Sequence, residues 1–273
     1  MNKITDHILC KVEKPARYVG GELNEIIKNP EEEDIRFAFC FPDVYEVGMS
    51  HLGTRILYHT INERKDTYCE RVFAPWPDME EQLRKNNISL CTLETKTPLK
   101  EFDILGFTLQ YEMSYTNILN MLDMSGITIR AEERGEDEPL VMAGGPCAYN
   151  PEPLVGIVDF FEIGEGEEMM DDVLEVYAKY KKGKWDKKAF LREISKIGGI
   201  YVPSLYDVEY NEDGIIKSFK PKYDDVPAVV KKRIINNFDR VSFPENMIVP
   251  YTEIVHDRIV LETFRGCTNG DRK

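Results

Sequence analysis

The stretch "IRFAFCFPDVYEVGMSHLGTRILYHTINERK" (35–65) decides the fold. Its first seven residues form an apolar-rich run with one arginine, the pattern of a strand buried on both faces, and Pro42 ends it. Residues 49–64 then place Leu52, Ile56, Leu57 and Ile61 on one helical stripe, with Glu63, Arg64 and Lys65 marking the polar end. A buried strand followed by an amphipathic crossover helix is the unit of a parallel sheet covered by helices.

The same unit recurs outward. RVFAP (71–75) reads as the next strand, 78–87 as a helix with Asp78 as its N-cap, and 88–94 as a short extended run. FDILGFTLQ (102–110) is a further buried strand and 111–124 its helix, with Tyr115, Ile118, Leu119 and Leu122 turned inward. PLVMAGGP (139–146) and VDFFEIG (158–164) complete the strands, and the prolines of PCAYNPEP between them exclude a helix interior. Residues 165–183 close the unit as a helix, acidic at its start and carrying Lys179, Lys181 and Lys182 at its end, the order its dipole favours. Beyond it, 187–197 is amphipathic and 201–221 reads as a hairpin turning at 211–214. A connector with prolines at 227, 244 and 250 leads to RIVLETF (258–264), which reads as a fresh strand.

A chain of 273 residues has room for one large or two modest domains, and two is the starting expectation. An apolar content of 42% supports a packed core, and 31% charged residues a solvated surface. The 35 basic and 49 acidic residues leave a net charge of −14, which repels phosphate backbones and makes nucleic acid an unlikely partner for this portion. Cysteines at 10, 40, 69, 91, 147 and 267 form no CxxC pair, and no apolar signal segment opens the chain; free thiols in a reducing cytoplasm are expected. No apolar run reaches the ~18 residues of a membrane span, so no membrane partner is expected.

AGGPCAYNPEP and DFFEIGEGEE carry the most chemical information. Gly144 and Gly145 follow a buried strand and allow close backbone approach at the carboxyl edge of the sheet, where doubly wound folds bind ligands. Gly164, Glu165 and Gly166 stand at the next strand-to-helix junction on the same edge, so two glycine-lined loops flank one crevice. Two tight turns into helices explain the same glycines, and neither is a GxGxxG or a P-loop. His51 could ligate a metal or a corrinoid cobalt, although no second ligand recurs at a suitable spacing; capping or packing near a helix start is the competing role. Gln110, Glu112 and Asn117 either line the crevice or cap a helix, and Cys40, Cys69, Cys91 and Cys147 read as core residues or inert thiols. No Ser/His/Asp or Cys/His triad stands out. Cys267, leaving a strand in Arg265-Gly266-Cys267, is either a buried thiol or the first of several thiolates of an iron-sulfur cluster.

Together YEVGMSHLG, ERVFAPWPDME, FDILGFTLQYEMSYTNILNMLD, AGGPCAYNPEPL, DFFEIGEGEE and LETFRGC resemble the N-terminal half of a family of radical S-adenosylmethionine proteins with a cobalamin-binding-like front domain. The resemblance implies an α/β fold: a doubly wound, mostly parallel, flavodoxin-like sheet, then a small α+β connector and the first strand of an incomplete barrel. Its boundaries are an N-terminal extension at 1–34, the front domain at 35–185, a helix-plus-hairpin connector at 186–255 and the start of a truncated radical domain at 256–273. It implies cofactor-binding roles for Gly144, Gly145, Gly164, Glu165 and Gly166, and a metal-ligating role for Cys267 as the first thiolate of a CxxxCxxC loop. In the full-length family that loop holds a [4Fe-4S] cluster, which chelates S-adenosylmethionine and, fed by a reductant, generates the 5′-deoxyadenosyl radical.

The second ligand position holds Asp271 and the third falls one residue past Lys273, so this fragment is not expected to assemble the cluster or bind S-adenosylmethionine productively. A DxHxxG motif would place an aspartate and a glycine where Met49 and Thr54 flank His51. Cobalamin, if bound, is therefore expected without a protein histidine on cobalt. The competing reading is a stand-alone, non-catalytic corrinoid- or ligand-binding interaction domain.

Overall fold

A computed structural model of the chain describes residues 4–265. The first helix, α1 (Asp6–Leu9), is a single turn whose Ile8 reaches the core. The residues read as a buried strand form β1 (Ile35–Phe41), and two helices follow it, α2 (Tyr45–Ser50) and α3 (Leu52–Glu63). The single helix expected over 49–64 is therefore broken, because His51 adopts an extended conformation between the two and its ring caps α3.

β2 (Thr67–Phe73) begins earlier than its apolar residues suggested, and all seven of its residues are buried. α4 (Pro77–Lys85) starts after Trp76, which makes no side-chain cap, with Pro77 in the first helical position, where its missing N–H is no loss. Asp78, expected as the N-cap, instead accepts from the Glu13 backbone N–H at 2.7 Å. The extended run at 88–94 adds no strand to the sheet; it contributes one bridge, Cys91 to Pro98.

β3 (Ile104–Thr108) leads through a 3-10 turn into α5 (Tyr115–Met124), and β4 (Leu140–Gly144) and β5 (Phe160–Glu162) follow. α6 (Gly166–Lys182) and α7 (Lys187–Ile194) precede β6 (Ile200–Tyr201), a short edge strand that the sequence pattern did not reveal. The hairpin is present as β7 (Tyr206–Tyr210) and β8 (Ile216–Pro221).

The strands order as β2-β1-β3-β4-β5-β6, parallel except for the antiparallel β5–β6 pair. Its first five strands follow the flavodoxin-like order, with the switch in winding direction between β1 and β3. Right-handed crossovers on either side of that switch send helices to opposite faces. α3 and α6 pack together over one face. α4 and α5 are tied to each other by Arg84, which pairs with Asp123 at 2.9 Å and Asn120 at 2.7 Å.

One continuous apolar core takes in the sheet, Ile8 and Val12 from the N-terminal extension, and Phe190, Tyr206, Val226 and Ile248 from the connector. The N-terminal extension also shields the β2 edge. Arg71 of β2 is fully buried, pairing with Glu22 at 2.7 Å, Glu25 at 3.3 Å and Glu94 at 2.7 Å.

The barrel strand expected at 258–264 does not form: these residues are unpaired, and Ile259, Leu261 and Phe264 are exposed. A strand is stable only when a neighbour completes its hydrogen-bond ladder, and none lies beside this segment among the described residues.

Candidate functional site

Alternation along the strands puts Phe37 and Phe39 of β1, Gly106 and Thr108 of β3, Met142 and Gly144 of β4 and Glu162 of β5 on the face that α3 and α6 cover. A cavity of about 480 Å³ lies there, between the sheet and the two helices, and opens toward the carboxyl ends of the strands. Ile56 and Leu57 of α3 and Met170 of α6 form the opposite wall. Its volume is that of a small-molecule site.

All five glycine-loop positions expected at the crevice, Gly144, Gly145, Gly164, Glu165 and Gly166, line this one cavity. Gly145 has φ +101°, and a side chain there would press on the Leu109 backbone. That contact matters because Leu109 pairs with the loop, donating to the Gly144 carbonyl at 2.7 Å and accepting from the Cys147 N–H at 3.0 Å. At Gly164 the φ is +120°, and a Cβ would sit 2.2 Å from the Arg233 carbonyl oxygen.

The GEG loop is accordingly more than a turn into a helix: the connector crosses it. Arg233 donates its N–H to Ile163 at 2.9 Å and accepts from the Glu165 N–H at 3.1 Å, and the Ile235 N–H donates to the Glu165 carboxylate. Glu165 thus faces the cavity while anchoring the connector, a pairing across seventy residues that no local pattern in the sequence signals.

His51 lines the cavity, but its Nδ1 accepts the Thr54 N–H at 3.1 Å, so the ring is the N-cap of α3. Burial lowers its pKa, and a hydrogen bond with Gln110 opposes that; the imidazole is neutral at pH 7. Gln110 lines the cavity and donates to Thr108 Oγ1 at 2.6 Å. Asn117 donates to the Pro42 carbonyl at 2.9 Å, while Glu112 lies on an exposed turn.

The residue that sequence reasoning missed is Glu162. It is 4% exposed at the end of β5, and its Oε1 is buried without a hydrogen-bond partner. Burial, together with the nearby Glu167 carboxylate, pushes its pKa up to about 8. The signal was available: a glutamate ends the short apolar strand "FFE" (160–162), and an acid in a buried strand is unusual.

Arg265 reaches the mouth of the cavity from the C-terminal segment. It pairs with Glu167 and with Glu262, the latter at 2.9 Å, and its guanidinium lies 5.2 Å over the Phe238 ring. Those hydrogen bonds, the one to Glu262 foremost, raise its pKa and hold it charged.

Cys267 lies outside the described residues. Among the described residues no group of three or more His, Cys, Asp or Glu side chains is placed to hold a metal ion. Cys40 and Cys69 are buried in the sheet, Cys91 and Cys147 are partly buried, and Cys10 is exposed. No helix among the described residues is long and apolar enough to cross a membrane.

The family model described as "Radical SAM proteins, N-terminal" matches residues 53–203, a stretch that runs from the start of α3 to just past β6. The uncharacterized protein MJ0966 of Methanocaldococcus jannaschii is 24% identical over 191 residues, covering 66% of this chain and 37% of that protein. Among solved structures, the radical S-adenosylmethionine methyltransferase TsrM from Kitasatospora setae, bound to tryptophan and the analogue aza-SAM, aligns with a TM-score of 0.38 and 12% identity. That alignment covers 66% of this chain and 29% of the methyltransferase. The chain thus spans about a third of the length of the relatives it matches. With the matched stretch covering more than half of its residues, the chain belongs to the family of N-terminal domains of radical SAM proteins.

Proposed function

We propose that this chain is the N-terminal portion of a radical S-adenosylmethionine enzyme, in which the α/β domain holds a ligand in the sheet-edge cavity and presents it to the radical-generating part of the protein. The observation that carries the reading is the seat of Arg265. The segment that resembles the approach to a cluster loop is fixed by Arg265 to Glu167 at the cavity mouth, two residues before Cys267. A ligand in the cavity would therefore lie next to the point where the radical chemistry begins.

The residues of this chain do not fit the [4Fe-4S] cluster by themselves. Three thiolates on one loop are needed, and 261–273 supplies Cys267 with Asp271 at the second position. The described cysteines are dispersed through the sheet and loops and offer no substitute. We therefore assign cluster assembly, S-adenosylmethionine binding and the need for a reductant to the longer protein, and no catalytic step to the described residues.

Anaerobic reconstitution with iron and sulfide tests this. The 273-residue chain should give no stable ~400 nm band, whereas the reading frame continued past Lys273 should supply the missing cysteines and bind about four irons per chain. A stable cluster on the 273-residue chain alone refutes the assignment.

A second reading, a stand-alone corrinoid- or ligand-binding domain, is favoured by the cavity itself. For a corrinoid the fit is partial, because His51 spends its Nδ1 on the α3 cap and is not free to serve cobalt through that atom. Co-elution with hydroxocobalamin and a shifted visible spectrum support this reading; a frame that resumes with further cluster cysteines supports the first.

A further inference from the structure

We infer that the Glu162 carboxyl reads the ligand of the sheet-edge cavity, and that this ligand is an uncharged planar nitrogen heterocycle with an amino donor beside a ring-nitrogen acceptor, the edge of an aminopurine. The inference deepens the reading of the cavity as a ligand site and rests on it.

Three observations lead there. The first is Glu162 itself, a buried side chain on the lining whose Oε1 has no partner. A buried polar atom without a partner carries a penalty of about 1–3 kcal/mol that a ligand hydrogen bond would remove. Its other oxygen, Oε2, lies beside Gly144 and Gly166, where added Cβ atoms would come within 3.9 and 3.5 Å, so the ground around it is kept open by glycines.

The second is shape. The cavity lies between a sheet face and two helices, with Phe39 and Met142 on the sheet side and Leu57 and Met170 on the helix side. Gly106 has no side chain because the Phe37 ring lies over it; a Cβ there would stand 2.5 Å from the ring. Such walls suit the two faces of a flat ring.

The third is charge. The titratable groups facing Glu162 are Glu165 and Glu167 of the α6 start, Glu262 and Arg265 of the C-terminal segment and His51 before α3. Arg265 is taken by Glu167 and Glu262, and His51 is neutral and committed to its cap. Of the helix N-termini at the cavity, which elsewhere bind phosphate, that of α3 is capped by the His51 ring, and that of α6 carries Glu167 and Glu168 in its first turn, whose negative charge offsets the helix dipole. An anion would meet three carboxylates and no free cation among the described residues. A carboxyl that keeps its proton at neutral pH offers one donor and one acceptor side by side, the complement of an aminopurine edge.

Adenosine, whose base stays uncharged from pH 6.5 to 9, is the probe, with AMP as the anionic comparator and equilibrium dialysis of the 273-residue chain as the assay. Adenosine should bind at pH 6.5 and weaken about tenfold at pH 9 as Glu162 loses its proton, and AMP should bind no more tightly. Glu162→Gln, which keeps a donor and an acceptor, should retain binding and abolish the pH dependence. Leu57→Trp fills the cavity from the helix side without touching Glu162 and should remove binding. Failure of the wild-type chain to bind adenosine at millimolar concentration, tighter binding of AMP, or an unchanged pH dependence in Glu162→Gln each overturn the inference. A chain that takes hydroxocobalamin and rejects adenosine keeps the cavity as a ligand site while sinking this assignment of its ligand.

Discussion

Glu162→Gln provides a stability measurement that needs no ligand. The Glu162 carboxyl titrates near 4.5 in the unfolded chain and at about 8 in the fold. Its folded pKa is raised, so the folded state holds a proton that the unfolded state releases; the contribution is fully present below pH 4.5 and is lost as pH rises through 8. At 1.36 kcal/mol per pH unit, the wild-type chain forgoes about 3 kcal/mol at pH 7 and about 5 kcal/mol at pH 9 relative to a chain with a neutral side chain at this position. Glutamine has nearly the same shape and never ionises. Urea unfolding followed by tryptophan fluorescence of Trp76 and Trp185 should therefore give similar stabilities for the two chains at pH 5. The variant should gain steadily from pH 5 to pH 8 and hold a constant advantage above. The other titrating groups, Glu94 among them with a pKa pushed up to about 7, are common to both chains and cancel in the difference. A stability difference that does not change between pH 5 and pH 9 would refute the claim that the fold keeps this carboxyl protonated.

Three further outcomes follow from the same geometry. Arg71→Met should destabilise the chain by about 3–5 kcal/mol, because it strips the cation from buried Glu22, Glu25 and Glu94; the loss should shrink from pH 7 to pH 5 as Glu94, whose pKa burial pushes up to about 7, takes up its proton, and a pH-independent loss in urea titrations would contradict it. Gly164→Ala should lower stability by about 2 kcal/mol or more, since its φ of +120° and the Arg233 backbone at 2.2 Å leave no room for a Cβ; hydrogen exchange should show the crossing at 233–235 released, and unchanged protection there would argue against the pairing. Burial pushes the Cys40 and Cys69 thiols well above their ordinary pKa, so a thiol reagent at pH 8 should label exposed Cys10 at once and reach those two only on unfolding; their rapid labelling in the native chain would contradict the sheet register.

Strand-then-helix periodicity was legible because a central parallel strand is apolar on both faces, and β1, β3 and β4 each announce themselves by apolar-rich runs, broken in β1 only by Arg36. β6 was not legible: two residues, Ile200 and Tyr201, become a strand only because β5 offers its free edge. The segment 258–264 shows the converse, a strand-like sequence left unpaired for want of a neighbour. His51 was readable as a capping candidate, but that its ring would split the expected helix in two required the backbone.

The candidate site divides in the same way. The paired glycines of AGGP and GEGEE identified the carboxyl edge from sequence alone, because topology sends consecutive parallel strands to the same edge and glycine is what close backbone approach requires. By itself, then, the sequence determined an α/β parallel sheet, the edge at which its loops gather and the family whose N-terminal domain it resembles. Only the tertiary structure decided that those loops share one cavity, that the connector crosses Gly164 through Arg233, and that Glu162 stands there without a partner. The reason is physical: periodicity is a property of neighbouring residues, whereas burial, charge state and a cavity belong to groups brought together across the whole chain.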